Sequence, residues 1–211
     1  MNNLQGPRVP VTEQIVGRVG RLINAPVCVV QTIEIPPDFI GWEFRPGTRL
    51  AAGVAHASRQ VDPVVENGSL DRRLDDDNAR RHAGIFALHD WCWGGDGQWL
   101  VALAEENAFY SHDHGWYLPP EGPSWDMGAL EANVDVAHEL GGSGDAITPA
   151  IARDVATPLH MIERDRLRDV LRRIPSGWSV SDDELECVGF FLERRADATA
   201  RRLENRFGGA P

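Results

Sequence analysis

The side chains best suited to chemistry lie close together in residues 89–115, which read HDWCWGGDGQWLVALAEENAFYSHDHG. Asp96 stands among glycines, Gln98 follows two residues later, and Asp113 precedes a His-Gly pair. Phosphoryl transfer uses one carboxylate to orient the attacking hydroxyl group, and a second carboxylate with an amide oxygen to hold Mg²⁺. Hard oxygen ligands favour Mg²⁺ over zinc. The stretch is therefore typical of a phosphoryl-transfer site.

A hairpin is predicted between these polar residues. Residues 99–103 and 108–112 are short apolar runs rich in β-forming residues, and Glu105-Glu106-Asn107 separates them. A helix is predicted before it, over residues 70–92. Because the two loops that flank a hairpin emerge at the same end, we expect Asp96 and Asp113 to lie close together.

The remaining elements are helices, strands and loops in an order that predicts an α+β fold with a helical second half. Residues 36–68 are rich in glycine and proline without a clear period, which indicates a long loop with short elements, and such loops are often functional. Within it, residues 53–59 are candidates to line a ligand pocket. The other predictions are a helix over 11–23 capped by Thr12, a strand over 27–35, a short helix over 130–140, a helix over 159–174, and a last helix from a Ser181–Glu184 capping box to Phe207.

Composition narrows the class of protein. The length of 211 residues predicts one domain, and the net charge of −11 argues against a direct nucleic-acid or anionic-membrane surface. Neither a membrane-spanning apolar run nor a secretory signal is visible. The three cysteines are far apart and odd in number, which predicts reduced thiols in the cytoplasm.

The chain contains no lysine, and all 21 of its basic residues besides histidine are arginine. Chemistry that needs a lysine within this chain is therefore excluded, including a P-loop, a Schiff base and a Ser-Lys dyad.

These motifs resemble the HipA-like kinases, a bacterial branch of the protein-kinase-like fold. Residues 91–96 (WCWGGD) resemble the family's helix exit and catalytic loop, and Asp113-His114-Gly115 resembles its metal-binding tripeptide. The resemblance implies ATP and Mg²⁺ as cofactors, Asp96 as the catalytic carboxylate, and Asp113 with Gln98 as metal ligands. It also implies a nucleotide as partner, with a protein or small-molecule acceptor.

The resemblance extends over nearly the whole chain. Residues 6–27 are similar to the segment in which a glutamate-bearing helix leads to a Pro-Val strand, and 172–178 with 190–195 are similar to the C-terminal helices. It implies a single domain over 1–211, with a reduced N-terminal lobe and a short sheet in 1–68, a catalytic-loop and hairpin region in 69–145, and a mainly helical C-terminal lobe in 146–211.

Two departures leave alternatives open. No asparagine follows Asp96 at the family's spacing, so Gln98 is the nearest amide. The family's nucleotide-contacting lysine lies on a strand before the segment that opens this chain, which leaves either a truncated start or a reduced, inactive relative. Arg8 is a candidate to meet a phosphate instead. A kinase-shaped binding or regulatory module without transfer activity is the second hypothesis, and a His/Asp metal hydrolase is the third.

Several residues have structural interpretations instead. Asp90 competes with Asp96 for the catalytic role, but it lies where the helix is expected to continue. Glu13 is expected to be a solvated helix carboxylate, because no lysine exists to pair with it. Cys92 is expected to be a small buried hydrophobic residue. The arginine pairs are interleaved with acids and indicate solvated helix faces; they lie at 72–73, 80–81, 172–173, 194–195 and 201–202.

Overall fold

The computed structural model describes residues 5–95 and 97–208, and these form a mixed α+β structure, as predicted. The α-helices in this part are α1 (Val9–Leu22), α2 (Asn78–Trp91), α3 (Met127–Asn133), α4 (Pro149–His160), α5 (Arg164–Leu171) and α6 (Asp182–Phe207). The strands are β1 (Val30–Glu34), β2 (Glu43–Arg45), β3 (Thr48–Arg49), β4 (Val54–Ser58), β5 (Val64–Asn67), β6 (Trp99–Ala102) and β7 (Ala108–Ser111). Short 3₁₀ helices span Pro37–Phe39 and His114–Trp116.

The strands form small antiparallel sheets. β1 pairs with β4, β2 pairs with β3, and β5, β6 and β7 form a three-stranded sheet in that order. The predicted hairpin is confirmed as β6 and β7, with Trp99 opposite Ser111. The segment 36–68 holds strands β2 to β5 and a 3₁₀ turn, in agreement with short elements inside a long connection.

Helix α1 is buried on almost every side. It packs against β1 and β4 on one side and against α5 and the turn after β7 on others, which explains its apolar sequence. Pro10 lies in the first turn, where its missing N–H costs nothing. Thr12 is not the N-cap that the sequence predicted. It lies inside the helix, where its hydroxyl donates to the carbonyl of Arg8 at 3.1 Å and accepts from Trp125 Nε1 at 3.0 Å.

Helix α2 begins later than the predicted residue 70. Residues 75–77 are three consecutive aspartates, and Asp76 has a φ of 38°, which a helix cannot include. The buried Asn78 then holds the turn, because its amide donates to the carbonyl of Arg72 at 3.1 Å and to that of Asn107 at 2.9 Å. The helix start is thus set by a contact with the β6–β7 turn.

The C-terminal half is helical, but the predicted helix over 159–174 was wrong as a single unit. Helix α4 ends at His160 and α5 starts at Arg164, so the stretch is divided by a turn. The predicted capping box is confirmed, since the Ser181 hydroxyl accepts from the Glu184 amide while the Glu184 carboxylate accepts from the Ser181 amide. Helix α6 packs against α2, α3, α4 and α5 and is the centre of this half.

One large apolar core joins α1, α2, α4, α5 and α6, and a small cluster of Ile85, Trp99, Val101 and Phe109 attaches the hairpin to α2.

The expectation that arginine pairs are solvated was wrong for Arg195, which is 1% exposed. Cys92 is buried, as predicted. Among the described residues, no helix combines the length and the apolar character that crossing a bilayer would require.

Candidate functional site

A cavity of about 780 Å³ opens between the short N-terminal strands and the helical half. Helix α1 forms one wall, the segment from Phe44 to His56 forms a second, and the loop 175–178 before α6 forms a third. The indole nitrogen of Trp178 donates to the carbonyl of Val54 at 3.1 Å, which ties the third wall to the second. Asp113 completes the lining. The suggestion that residues 53–59 line a pocket is confirmed for residues 53–56.

Asp113, the predicted metal ligand, lies at this cavity. It follows β7 directly and has φ 53° and ψ 57°, a left-handed conformation that turns the chain at the end of the hairpin. Aspartate tolerates this conformation better than most residues because its short side chain bonds locally. The hairpin and this turn together place the carboxyl group at the cavity.

Of the other two predicted site residues, the structure describes Gln98 alone. Asp96 lies outside the described residues. Gln98 precedes β6, where its carbonyl accepts from the amide of His112 at 3.4 Å, so the two ends of the hairpin do meet. However, Gln98 is not among the residues that line the cavity.

Glu13 is a site residue that the sequence interpretation missed. Its side chain is only 11% exposed and hydrogen-bonds to Asp113, so the expected solvated helix carboxylate was wrong. Burial first, and then the negative charge of Asp113, raises the pKa of Glu13 to about 8, although the amides of His114 and Gly115 oppose this. At neutral pH Glu13 therefore keeps its proton and donates a hydrogen bond to Asp113.

His114 fixes the backbone beside this pair. It is 2% exposed, its Nε2 shares a hydrogen bond of 2.8 Å with the Ser111 hydroxyl, and its ring meets Tyr117 edge-on at 5.0 Å between centroids. Burial lowers the pKa of His114 to about 3, so the ring is neutral. Its Nδ1 is 3.8 Å from the Glu13 carboxyl oxygen. The buried ring thus holds the Asp-His-Gly turn in place through its contacts with Ser111 and Tyr117.

His56 is the second residue that the sequence interpretation did not single out. It lies at the middle of β4, lines the cavity and is half-buried. Its Nδ1 is 2.9 Å from the side-chain nitrogen of Gln14 on α1. Burial lowers the pKa of His56 to about 4, against the opposing effect of Asp113. A usable signal did exist in the sequence for its partner Gln14: Thr12, Glu13 and Gln14 are consecutive polar residues in a helix that is otherwise apolar except for Arg18 and Arg21.

The arginine that the sequence suggested for a phosphate does not line the cavity, whereas two other arginines do. Arg45 and Arg49 contribute to the lining, but Arg49 is held by Glu43 at 2.9 Å and by the carbonyl of Gly41 at 2.8 Å. Arg8, the candidate phosphate ligand, pairs with Glu184 and lies over the Trp125 ring at 4.5 Å. Arg8 is therefore engaged away from the cavity lining.

A magnesium ion would find the Asp113 carboxylate here as a hard ligand. Mg²⁺ needs one or two protein carboxylates and completes its shell with water and substrate phosphates, so Asp113 beside an open cavity fits it. Within the described part of the chain, no three His, Cys, Asp or Glu side chains form a cluster that could hold a metal alone. The donor set thus suits a metal that arrives with a phosphate ligand.

No family model, curated protein or solved structure matches the chain.

Proposed function

We propose that the chain is an ATP- and Mg²⁺-dependent phosphotransferase with a protein-kinase-like fold, similar to the HipA-like kinases. The observation that carries the proposal is Asp113. It belongs to an Asp-His-Gly turn that directly follows a hairpin, and it lines a cavity between the small strands and the helical half. A volume of about 780 Å³ lies in the usual range for a ligand of nucleotide size.

In this proposal, Asp113 is the carboxylate that holds Mg²⁺, and the bound ion offsets the negative charge of the transferring phosphoryl group. Glu13 donates a hydrogen bond to Asp113 and so orients its carboxylate. Because Glu13 is protonated, it does so without a second negative charge near the phosphates. Asp96 orients the acceptor hydroxyl, as the sequence predicts. Gln98 lies outside the cavity lining and stays a sequence-based candidate for a further amide oxygen. The acceptor is a protein or a small molecule.

Replacing Asp113 tests the proposal. In Asp113→Asn the amide oxygen still accepts the Glu13 hydrogen bond, so the fold should be kept while the metal ligand is lost. We expect ATP turnover to fall by about 10²-fold or more. The measurement is release of ADP with Mg²⁺ present, and the matched control is Asp169→Asn, an exposed carboxylate on α5. Equal turnover in the native protein and Asp113→Asn would refute the assignment.

A binding or regulatory module without transfer activity is the second candidate. It is favoured by the Glu13–Asp113 contact in a chain without lysine, since the two carboxyl groups hydrogen-bond to each other directly. A thermal-shift titration with ATP and Mg²⁺ discriminates the two, because ligand binding stabilises the native state by mass action. A shift that is lost in Asp113→Asn, without ADP release by the native protein, would support the module.

A further inference from the structure

His56 is held at the cavity by a chain of hydrogen bonds that begins at Arg18. The Arg18 guanidinium donates to the side-chain oxygen of Gln14 at 3.0 Å. The nitrogen of the same amide donates to the carbonyl of Gln31 at 2.8 Å and lies 2.9 Å from His56 Nδ1. Gln14 is fully buried. All three contacts therefore restrain one amide group on α1.

The orientation of this amide is determined by its partners. If the amide were flipped, its oxygen would face the Gln31 carbonyl and its nitrogen would face the Arg18 donor, and both contacts would be repulsive. Since Gln14 must present an N–H to His56, Nδ1 must accept. The proton of the neutral imidazole then lies on Nε2.

The hydrogen bond at Nδ1 also keeps the ring neutral. A proton on Nδ1 would meet the Gln14 amide hydrogen, and of the charged groups that act on the ring, Asp113 favours the protonated form while Arg18 opposes it. In the described part of the chain, His56 makes only the hydrogen bond at Nδ1. The N–H of Nε2 is thus the polar group that His56 offers to the cavity.

We propose that His56 is a ligand-binding residue whose Nε2–H donates a hydrogen bond to a phosphate oxygen of the bound nucleotide. The identity of that ligand rests on the function proposed above. An anionic oxygen near Asp113 needs N–H donors, and a chain without lysine must supply them from other side chains. Gln14 is the positioning residue, since it selects the tautomer without reaching the cavity lining.

Two substitutions at His56 distinguish the roles of its two ring nitrogens. Asparagine places an amide near the position of Nδ1, which keeps the Gln14 contact but removes the donor in the cavity. Glutamine places an amide near Nε2, which keeps that donor. We expect His56→Asn to weaken binding of Mg·ATP by about 10–100-fold, because a hydrogen bond to a charged group is lost. His56→Gln should stay within about threefold of the native protein.

Calorimetric titration with Mg·ATP, and separately with inorganic tripolyphosphate, measures these changes. Equal losses for both probes support a contact with phosphate, whereas a loss for Mg·ATP alone would overturn it. Native binding with unchanged affinity in His56→Asn would refute the role of His56 while leaving the phosphotransferase proposal intact. Native protein that binds neither probe would overturn both. Cys187→Ser, on α6, is the control for remote substitution.

The tautomer can be tested without any ligand. Nitrogen-15 spectra of the imidazole rings should show His56 with its proton on Nε2 and an acceptor nitrogen at Nδ1. Removing the constraint in Gln14→Leu should increase the population of the other tautomer. A native spectrum with the proton on Nδ1 would refute the proposal even if nucleotide binds.

Discussion

At the scale of single residues, Asp90 shows a carboxylate used for packing rather than for catalysis. It is 3% exposed and lies on α2, where it pairs with Arg195 at 3.1 Å and with Arg202 at 2.6 Å. It also accepts from the backbone amide of His138 at 2.9 Å. The sequence left Asp90 as a competitor of Asp96, but it does not line the cavity. Its two arginine partners come from α6, more than a hundred residues away.

Removing this carboxylate should be costly. In Asp90→Ala the Arg195 guanidinium remains buried without its counter-charge, and breaking a buried pair in this way costs about 3–5 kcal/mol. Urea denaturation should measure the loss in free energy of unfolding. The exposed Asp169→Ala provides the control, with an expected change within about 0.5 kcal/mol. Similar midpoints for the two variants would show that the network is not a stabilising one.

At the scale of elements, α1 lies close to β1 and to the residues just before it because two glycines face this segment. A Cβ placed on Gly17 would lie 2.8 Å from the Val30 methyl carbons, and one on Gly20 would lie 2.8 Å from a Val27 methyl carbon. Real side chains do not approach so closely. The small residues are thus what lets β1 cross the helix beside Glu13 and Gln14.

This close contact predicts whether a substitution at Gly17 stabilises or destabilises the protein. Alanine favours a helix over glycine by about 1 kcal/mol, yet Gly17→Ala should destabilise the protein because the methyl group meets Val30. In a Val30→Ala background the obstructing methyl groups are gone, and the same substitution should become neutral or stabilising. Thermal melts of the four proteins in this cycle measure the coupling. Additive effects would argue against the close approach.

Elements with local signals were predictable from the sequence. The β6–β7 hairpin has apolar runs with a polar turn, and α6 has its own capping box, so both were predicted with nearly correct bounds. The start of α2 and the division between α4 and α5 were not predicted correctly. In α2 the decisive contact joins Asn78 to Asn107, which no short window of sequence contains.

At the scale of the whole molecule, buried neutral histidines couple stability to pH. Burial lowers the pKa of His82 and of His89 to about 4 from the usual 6.5. Around them, Asp71, Arg73 and Arg81 act on His82, and Asp90 and His138 act on His89. The unfolded chain therefore takes up protons at a pH where the folded protein does not.

Stability should accordingly be complete above about pH 6.5 and fall as the pH decreases towards about 4. His82→Leu removes one of these groups, and with it a buried ring nitrogen that has no hydrogen-bond partner among the residues that the structure describes. We expect the free energy of unfolding of this variant, measured by urea denaturation, to depend less steeply on pH. The slope should fall by the equivalent of at most one proton taken up on unfolding. An unchanged slope would mean that His82 also titrates normally in the folded state.

The sequence by itself determined the α+β class, the hairpin, the capped last helix and Asp113 as a candidate ligand, because these depend on periodicity, caps and residues close together in the chain. The tertiary structure decided that Glu13 is buried against Asp113, that Gln14 selects the tautomer of His56, and that segments far apart in the chain line one cavity. Each of these depends on which faces pack together. A carboxyl group on a helix is solvated or protonated according to what covers it, and that cover comes from distant parts of the chain.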